Sequence, residues 1–167
     1  MVNKAVFLDR DGVINKHRID YVKNVNEFVI LPGVEKYLKL LVDNQFKLII
    51  ITNQSMVGRG LSTEKELTDI HNKMQNIFKK YDFQIDKIYY CLHTPKDNCS
   101  CRKPGSELFE KAIDDFNIDT STSWVIGDSD SDIKAGEKIG CRTILIKTNS
   151  GLKHAVEKIL NTKTNKG

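Results

Sequence analysis

Long hydrophobic runs are missing from this sequence of 167 residues. The longest uninterrupted apolar stretch, Ile88 to Leu92, has five residues, whereas a transmembrane helix needs about 20. A signal peptide is not evident either, because the first residues lead directly into a strand-like run without an apolar core and cleavage site. We therefore expect a protein that does not cross a membrane and that acts in the cytoplasm.

Repeats, low-complexity stretches and linkers are equally absent, so nothing divides the chain into several domains. Hydrophobic residues make up 40% and charged residues 29% of the chain, the balance of an ordinary globular protein. We expect a single domain over residues 1–160 that acts as a monomer, followed by a frayed basic tail over residues 161–167.

The net charge of +4 does not indicate a nucleic-acid-binding surface. The segment from Leu152 to the end holds four lysines against one glutamate, so most of the excess charge lies there. A basic tail differs from a basic face with interleaved aromatic residues, and we expect no nucleic-acid partner.

Short apolar runs alternate with helical patterns along the whole chain. Continuous runs of this kind predict buried strands: Ala5–Leu8, Lys47–Thr52, Lys87–Cys91, Trp124–Ile126 and Thr143–Ile146. Apolar residues at helical spacing, and a capping-box signal at Thr63 and Glu66, predict helices between the strands: Gly33–Asn44, a helix after Thr63, Glu107–Phe116, Asp132–Ile139 and Leu152–Leu160. This alternation predicts a doubly wound α/β fold with a parallel sheet covered on both faces.

Polar residues follow the predicted strands, where such folds bind ligands. Asp9 and Asp11 come after the first strand, and residues two apart in an extended chain point the same way. The second strand is followed by residues 52–55, and the fourth by a segment that contains Asp128 and Asp132. An aspartate in such a place can also be a turn former or a helix cap, and we expect Asp130 or Ser131 to cap the next helix.

Several acids gathered at one sheet edge repel each other unless a cation binds among them. Carboxylate oxygens suit Mg²⁺, which often bridges to a phosphate, and the lysine and threonine groups near this edge suit the other phosphate oxygens. One aspartate could then attack phosphorus, while the second protonates the leaving alkoxide and later activates water.

The four segments resemble the motifs of the haloacid dehalogenase (HAD) superfamily, in order and over residues 5 to about 150: residues 7–13, residues 51–54, Lys103, and Gly127-Asp128 with Asp132. The resemblance implies Asp9 as nucleophile and Asp11 as general acid/base. It implies that Thr52 and Lys103 stabilise the transferring phosphoryl group. It also implies Mg²⁺ bound by Asp9, the main-chain carbonyl of Asp11, and Asp128, with Asp132 supporting the site.

Three of the four cysteines lie within eleven residues, together with one histidine: Cys91, His93, Cys99 and Cys101. Three thiolates and an imidazole complete a tetrahedral zinc site with no open position, which predicts a structural Zn²⁺. The alternative is that Cys91 ends a buried strand and that the other three residues are incidental. The fourth cysteine, Cys141, is predicted to be a small buried hydrophobic residue.

Combined with the cysteine loop, the motifs resemble one branch of the superfamily: the D-glycero-D-manno-heptose 1,7-bisphosphate 7-phosphatases of nucleotide-activated heptose and lipopolysaccharide biosynthesis, and the histidinol-phosphate phosphatases of histidine biosynthesis. The resemblance implies a set of substrate-binding residues: Arg10, Asn53, Gln54, Ser55, Arg59 and Arg102. One departure is Ser129, because the residue after the fourth-motif aspartate is often basic in the heptose enzymes.

The spacing of the motifs leaves no room for a cap domain, so we expect selectivity to come from Asn15–Glu27, Gln54–Ser62 and the cysteine loop. Basic residues predominate in these loops and favour a substrate with a second phosphate over histidinol phosphate: Lys16, His17, Arg18, Lys23, Arg59, Lys96, Arg102 and Lys103.

Two other classes fit less well. A phosphoaspartate receiver domain needs no second carboxylate two residues after its acceptor. A zinc-stabilised nucleic-acid-binding module needs a basic face, and Trp124 lies instead within a strand-like run.

Overall fold

The computed structural model describes residues 1–162. Five parallel strands form one sheet in the order β3-β2-β1-β4-β5. Their bounds are β1 Lys4–Leu8, β2 Phe46–Asn53, β3 Lys87–Cys91, β4 Trp124–Gly127 and β5 Arg142–Leu145. Each of the five predicted strands is found, with its ends within one residue of the prediction. The strand order reverses beside β1, which places the carboxyl ends of β1, β2 and β4 next to one another.

Helices connect the strands: α1 Val34–Asp43, α2 Ser55–Gly58, α3 Glu64–Lys79, α4 Glu107–Phe116, α5 Asp130–Lys138 and α6 Lys153–Asn161. One face of the sheet packs against α1, α3 and α6 through Leu8, Leu48 and Ile126. The other face packs against α4 and α5 through Phe7 and Ile51, and Cys141 is buried in this second cluster as predicted. Both faces are therefore covered, which confirms the doubly wound α/β prediction.

The capping box predicted for α3 is present, since Thr63 accepts a hydrogen bond from the Glu66 amide and Glu66 accepts one in return. The cap predicted for α5 is wrong. Ser129 has extended backbone and is the N-cap, so the helix begins at Asp130, and Asp132 closes a second capping box. The reason is the Ser-x-x-Asp spacing, which satisfies two amides at the helix start at once.

The carboxyl-terminal helix α6 runs to Asn161, so the first residue of the predicted tail is helical. The rest of that prediction falls largely on residues 163–167, which lie outside the described part of the chain. Within residues 1–162, no helix has the length and the apolar character needed to span a membrane.

Candidate active site

A cleft of about 430 Å³ opens at the carboxyl edge of the sheet. Asp9 and Asp11 reach it from the end of β1, Asn53 from β2, and Asp128 from β4. Lys103 enters from the loop before α4. The carboxyl ends of three parallel strands thus bring three motif regions together, and the loop before α4 adds Lys103 from the fourth.

Lys103 is buried between two acids. Its Nζ lies 3.0 Å from Oδ1 of Asp9 and 2.6 Å from Oδ1 of Asp132, and it donates to the Ile51 carbonyl at 2.6 Å. Burial opposes the charge, but the two carboxylates outweigh burial and raise the pKa of Lys103. The lysine is therefore held as a cation at the floor of the cleft.

The surroundings of Asp9 hold more negative than positive charge. Burial raises the pKa of Asp9 to about 7, and the neighbouring Asp132 and Asp11 add to the increase, while Lys103 offsets part of it. Oxygens of Asp9, Asp128 and Asp132 all lie within 4.8 Å of one another. One ammonium does not balance three carboxylates, and this set of hard oxygen donors fits a divalent cation such as Mg²⁺.

The backbone at Gly12 makes room for Asp128. Gly12 has a φ of +84°, and a Cβ atom at this position would collide with Oδ2 of Asp128. The same Asp128 oxygen accepts a hydrogen bond of 2.8 Å from Thr148. A glycine after the second aspartate is thus required both by the turn and by the acid that faces it.

Asp11 differs from Asp9 because two side-chain amides, in addition to a cation, donate hydrogen bonds to it. Its oxygens accept hydrogen bonds from Arg10 Nη2 at 2.9 Å, Asn15 Nδ2 at 2.9 Å and Gln54 Nε2 at 2.8 Å. Burial would raise the pKa of Asp11, but the Arg10 charge and these hydrogen bonds outweigh burial and lower the pKa. The pKa values of these two neighbouring carboxyl groups are therefore shifted in opposite directions: that of Asp9 is raised and that of Asp11 is lowered.

The structure places the predicted substrate-binding residues in different surroundings. Asn53 and Gln54 line the cleft. Arg10 does not, because its side chain is fully buried behind Asp11. Ser55 is buried at the start of α2 and is not among the lining residues. Thr52 is also buried, and its hydroxyl accepts a hydrogen bond of 2.9 Å from Gln54 Nε2.

The two other arginines of that set do not line the cleft. Arg59 is exposed after α2, and Arg102 is half-buried with Nη1 3.4 Å from the His93 carbonyl oxygen. Of the three predicted selectivity loops, the first, Asn15–Glu27, contributes more lining residues than the other two: His17, Arg18, Ile19, Tyr21 and Val22. Sequence reasoning missed Thr148 and Ser131, which also line the cleft.

The cysteine cluster is assembled beside this site. The Sγ atoms of Cys91 and Cys99 lie 3.6 Å apart, and those of Cys99 and Cys101 lie 3.5 Å apart. Nδ1 of His93 is 3.2 Å from the Cys101 sulfur. A tetrahedral zinc ion with Zn–S bonds of about 2.3 Å separates its sulfur ligands by roughly 3.8 Å. The Cys91 and Cys101 sulfurs lie 2.6 Å apart, closer than two sulfur ligands of one zinc ion. The donor set of three thiols and one imidazole fits Zn²⁺, and its four atoms lie within 4.8 Å of one another.

The fold and the acid–lysine site define a HAD-like hydrolase, and a HAD-hydrolase-like family model matches residues 100–165. The chain is 38% identical over 150 residues to the D-glycero-beta-D-manno-heptose-1,7-bisphosphate 7-phosphatase of Neisseria meningitidis serogroup A, covering 90% of this chain and 80% of that protein. It is 39% identical over 152 residues to the Helicobacter pylori (strain J99) protein of the same name, covering 90% and 87%. The chain belongs to the D-glycero-D-manno-heptose-1,7-bisphosphate 7-phosphatase family of HAD-like phosphatases.

A solved structure supports the same relationship. The D,D-heptose 1,7-bisphosphate phosphatase from B. bronchiseptica, complexed with magnesium and phosphate, superposes with a TM-score of 0.84 at 32% identity. The match covers 92% of this chain and 86% of that one.

Proposed function

We propose that this protein is a Mg²⁺-dependent phosphatase that hydrolyses the 7-phosphate of D-glycero-D-manno-heptose 1,7-bisphosphate. The observation that carries the proposal is the cleft itself: Asp9, Asp11, Lys103 and Asp128 converge there in a chain that belongs to this family. The enzyme would act in the cytoplasm, as a monomer of one domain, in nucleotide-activated heptose biosynthesis.

Asp9 is the nucleophile of the proposed reaction. Its carboxylate attacks phosphorus, the sugar oxygen leaves, and an aspartyl-phosphate forms. Lys103, only 3.0 Å from Asp9, is placed to bind an oxygen of the transferring phosphoryl group. The proposal gives the same role to Thr52, near the carboxyl end of β2, whose buried hydroxyl accepts a hydrogen bond from Gln54. Mg²⁺ would be held by Asp9, the main-chain carbonyl of Asp11, and Asp128. When bound, it would neutralise part of the phosphate charge.

Asp11 is the proposed general acid and base. It protonates the leaving sugar alkoxide and afterwards takes a proton from the water that hydrolyses the aspartyl-phosphate. Because Arg10 lowers its pKa, Asp11 is ionised in the free enzyme. The approach of a phosphate dianion, a like charge, raises that pKa and favours the protonated form that the first step needs.

Asp132 has a supporting role in this proposal. It contacts Lys103 at 2.6 Å and the Ser129 amide at 3.3 Å, so it fixes the lysine to the start of α5. Zn²⁺ at Cys91, His93, Cys99 and Cys101 would be structural, since four protein ligands leave no open position. When bound, it would order the loop that leads into Lys103.

The second phosphate of the substrate needs a cation at the far end of the cleft. Among residues 1–162, the basic side chains that line the cleft are His17, Arg18 and Lys103, and Lys103 is already occupied by two acids. Arg18 is paired with Asp20 at 3.1 Å and with Glu27 at 3.6 Å. The Arg18 and Asp20 side chains are solvent-exposed, so their ion pair is weak enough to be exchanged for a phosphate. We therefore assign the distal phosphate to Arg18 and His17, in place of Arg59 and Arg102.

The test is a comparison of kcat/KM for the two C1 anomers of the heptose bisphosphate and for histidinol phosphate, with Mg²⁺ present. We expect a preference of at least tenfold for a heptose bisphosphate. A tenfold preference for histidinol phosphate would assign the protein to the histidinol-phosphate phosphatases instead. An absence of phosphate release from any phosphate ester would remove the phosphatase proposal as a whole.

A further inference from the structure

The guanidinium of Arg10 is held between two side chains from different parts of the fold. Nη2 donates to both oxygens of Asp11, at 2.9 and 3.2 Å. Nη1 lies 3.2 Å from Nε2 of His71, which belongs to α3. Because the Arg10 side chain is completely buried, these partners determine where the guanidinium can lie.

His71 occupies a position where an apolar residue is expected. It lies on the inward face of α3, where the other buried residues are Leu67, Ile70, Met74 and Phe78. It is only 7% exposed, and its ring packs at 5.9 Å from that of Tyr90. A polar group buried in such a place destabilises the fold unless it is hydrogen-bonded. The hydrogen bond to Arg10 is the contact that satisfies it.

The direction of that hydrogen bond follows from chemistry. A guanidinium has donors and no acceptor, so Nε2 of His71 must accept, and its proton must sit on Nδ1. Burial and the adjacent Arg10 cation lower the pKa of His71 to about 3, so the ring is neutral at physiological pH. The imidazole can therefore accept from Arg10 without adding a competing positive charge.

We infer that His71 is a positioning residue for Asp11 and acts through Arg10. The inference rests on the proposed function, in which Asp11 is the general acid. A general acid works only when its proton points at the leaving oxygen, and a long arginine side chain fixed at one nitrogen alone can rotate. Fixing Nη1 to α3 as well holds Nη2, and with it the Asp11 carboxyl, in one place.

Leaving groups of different basicity provide the test. A sugar alkoxide must be protonated as it leaves, whereas p-nitrophenolate leaves without a proton. The parameter kcat/KM reports on this first chemical step, in which the leaving group departs. We expect His71→Phe to lower kcat/KM about tenfold for an alkyl sugar phosphate and less than threefold for p-nitrophenyl phosphate. His71→Gln keeps an acceptor near Nη1 and should restore most of the loss. Asp11→Asn should show the same selective loss, more strongly.

Met74→Ala is the matched control, because it weakens the same buried face of α3 and keeps the hydrogen-bond partners of Arg10, His71 and Asp11. It should leave the ratio of the two kcat/KM values unchanged. Equal losses for both substrates in His71→Phe, or an unaltered sugar phosphate rate, would overturn the inference. If His71→Phe does not fold, ¹⁵N NMR of the wild-type ring decides: an unprotonated Nε2 supports the inference, and a protonated Nε2 contradicts it. The test can use any alkyl phosphate that the wild type hydrolyses. An error in the proposed substrate would therefore leave this test of His71 valid.

Discussion

Oδ1 of Asp132 lies 2.6 Å from Nζ of Lys103, while Oδ2 of the same carboxylate accepts the capping hydrogen bond from the Ser129 amide. One side chain thus ties the cleft lysine to the start of α5. The backbone is adapted to this arrangement, since a Cβ atom on Gly127 would collide with the Asp132 side chain. The end of β4 therefore presents Asp128 to the cleft, and the first turn of α5 presents Asp132 to the lysine.

Asp132→Asn should lower the free energy of unfolding by about 1–3 kcal/mol, because the buried lysine loses one of its two carboxylates. Asp132→Ala should cost about 1 kcal/mol more, because it also removes the capping contact. Urea denaturation of both variants measures the difference. Asp130→Ala, a change in the exposed first turn of the same helix, is the control and should have a much smaller effect. Equal stability of wild type and Asp132→Ala would contradict the role assigned to this contact.

Asp9→Asn should abolish phosphatase activity, by roughly 10⁵-fold or more, because the amide is not a nucleophile. The fold should survive, since the variant relieves repulsion from Asp132 and Asp11 while keeping the size of the side chain. Steady-state rates and circular dichroism measure the two effects. A variant that is folded and retains a tenth of the wild-type rate would mean that another residue attacks phosphorus.

Arg18→Gln should lower kcat/KM for the heptose bisphosphate about tenfold, mainly through KM, and should leave a monophosphate without the distal anion unaffected. A charge-assisted hydrogen bond of about 1.5–3 kcal/mol underlies that magnitude. Arg59→Gln is the matched control because Arg59 does not line the cleft. Asp20→Asn breaks the same ion pair but keeps the cation, so a loss equal to that of Arg18→Gln would show that only the loop pairing matters.

Zn²⁺ should copurify at about one ion per chain, and its removal by a strong chelator should lower the melting temperature. Cys101→Ser should give the same lower melting temperature before any chelator is added. Cys141→Ser changes a cysteine that lies outside the zinc cluster, in the hydrophobic core between the sheet and helices α4 and α5, and should keep the full zinc content. Elemental analysis and thermal melting measure both quantities. Zinc-free protein from zinc-replete cells would remove this site from the proposal.

Most of the secondary structure could be predicted because it depends on local signals. Runs such as Trp124–Ile126 are apolar on both faces, and the Thr63–Glu66 pair fixes one helix start. The convergence of Asp9 with Asp128 was also predictable, since parallel strands share a carboxyl edge. The burial of Arg10 had a signal as well: the alternation that points Asp9 and Asp11 one way points the residue between them the other way.

The conformation of the loops could not be predicted, because it depends on contacts between distant segments. Residues 15–27 face the cleft because their far end is tied to the start of α3, where the Ser62 hydroxyl lies 2.6 Å from the Lys23 carbonyl oxygen and 2.8 Å from a Glu66 carboxylate oxygen. His17 is held by Asn149, 132 residues away, through a hydrogen bond of 2.8 Å. Local sequence patterns carry no information about such pairs. The sequence alone therefore could not show that His17 and Arg18 line the cleft and that Arg59 and Arg102 do not.

His71 should make the stability of the fold depend on pH. Its pKa is about 3 in the folded protein and 6.5 in an unfolded chain, so between these values the unfolded state binds one more proton. The contribution of His71 to stability must therefore rise with pH in this window, with a slope of at most about 1.4 kcal/mol per pH unit. Asp9, whose pKa is raised to about 7, contributes with the opposite sign in the wild type and the variant alike, so the difference between the two proteins isolates His71. Urea denaturation between pH 4 and pH 7 should show His71→Gln losing less stability on acidification than the wild type. Above pH 7 the pH dependence of the two proteins should run parallel, because the histidine is neutral in both states. Identical slopes from pH 4 to pH 6 would show that the buried imidazole is protonated in the folded protein, which the Arg10 contact does not allow.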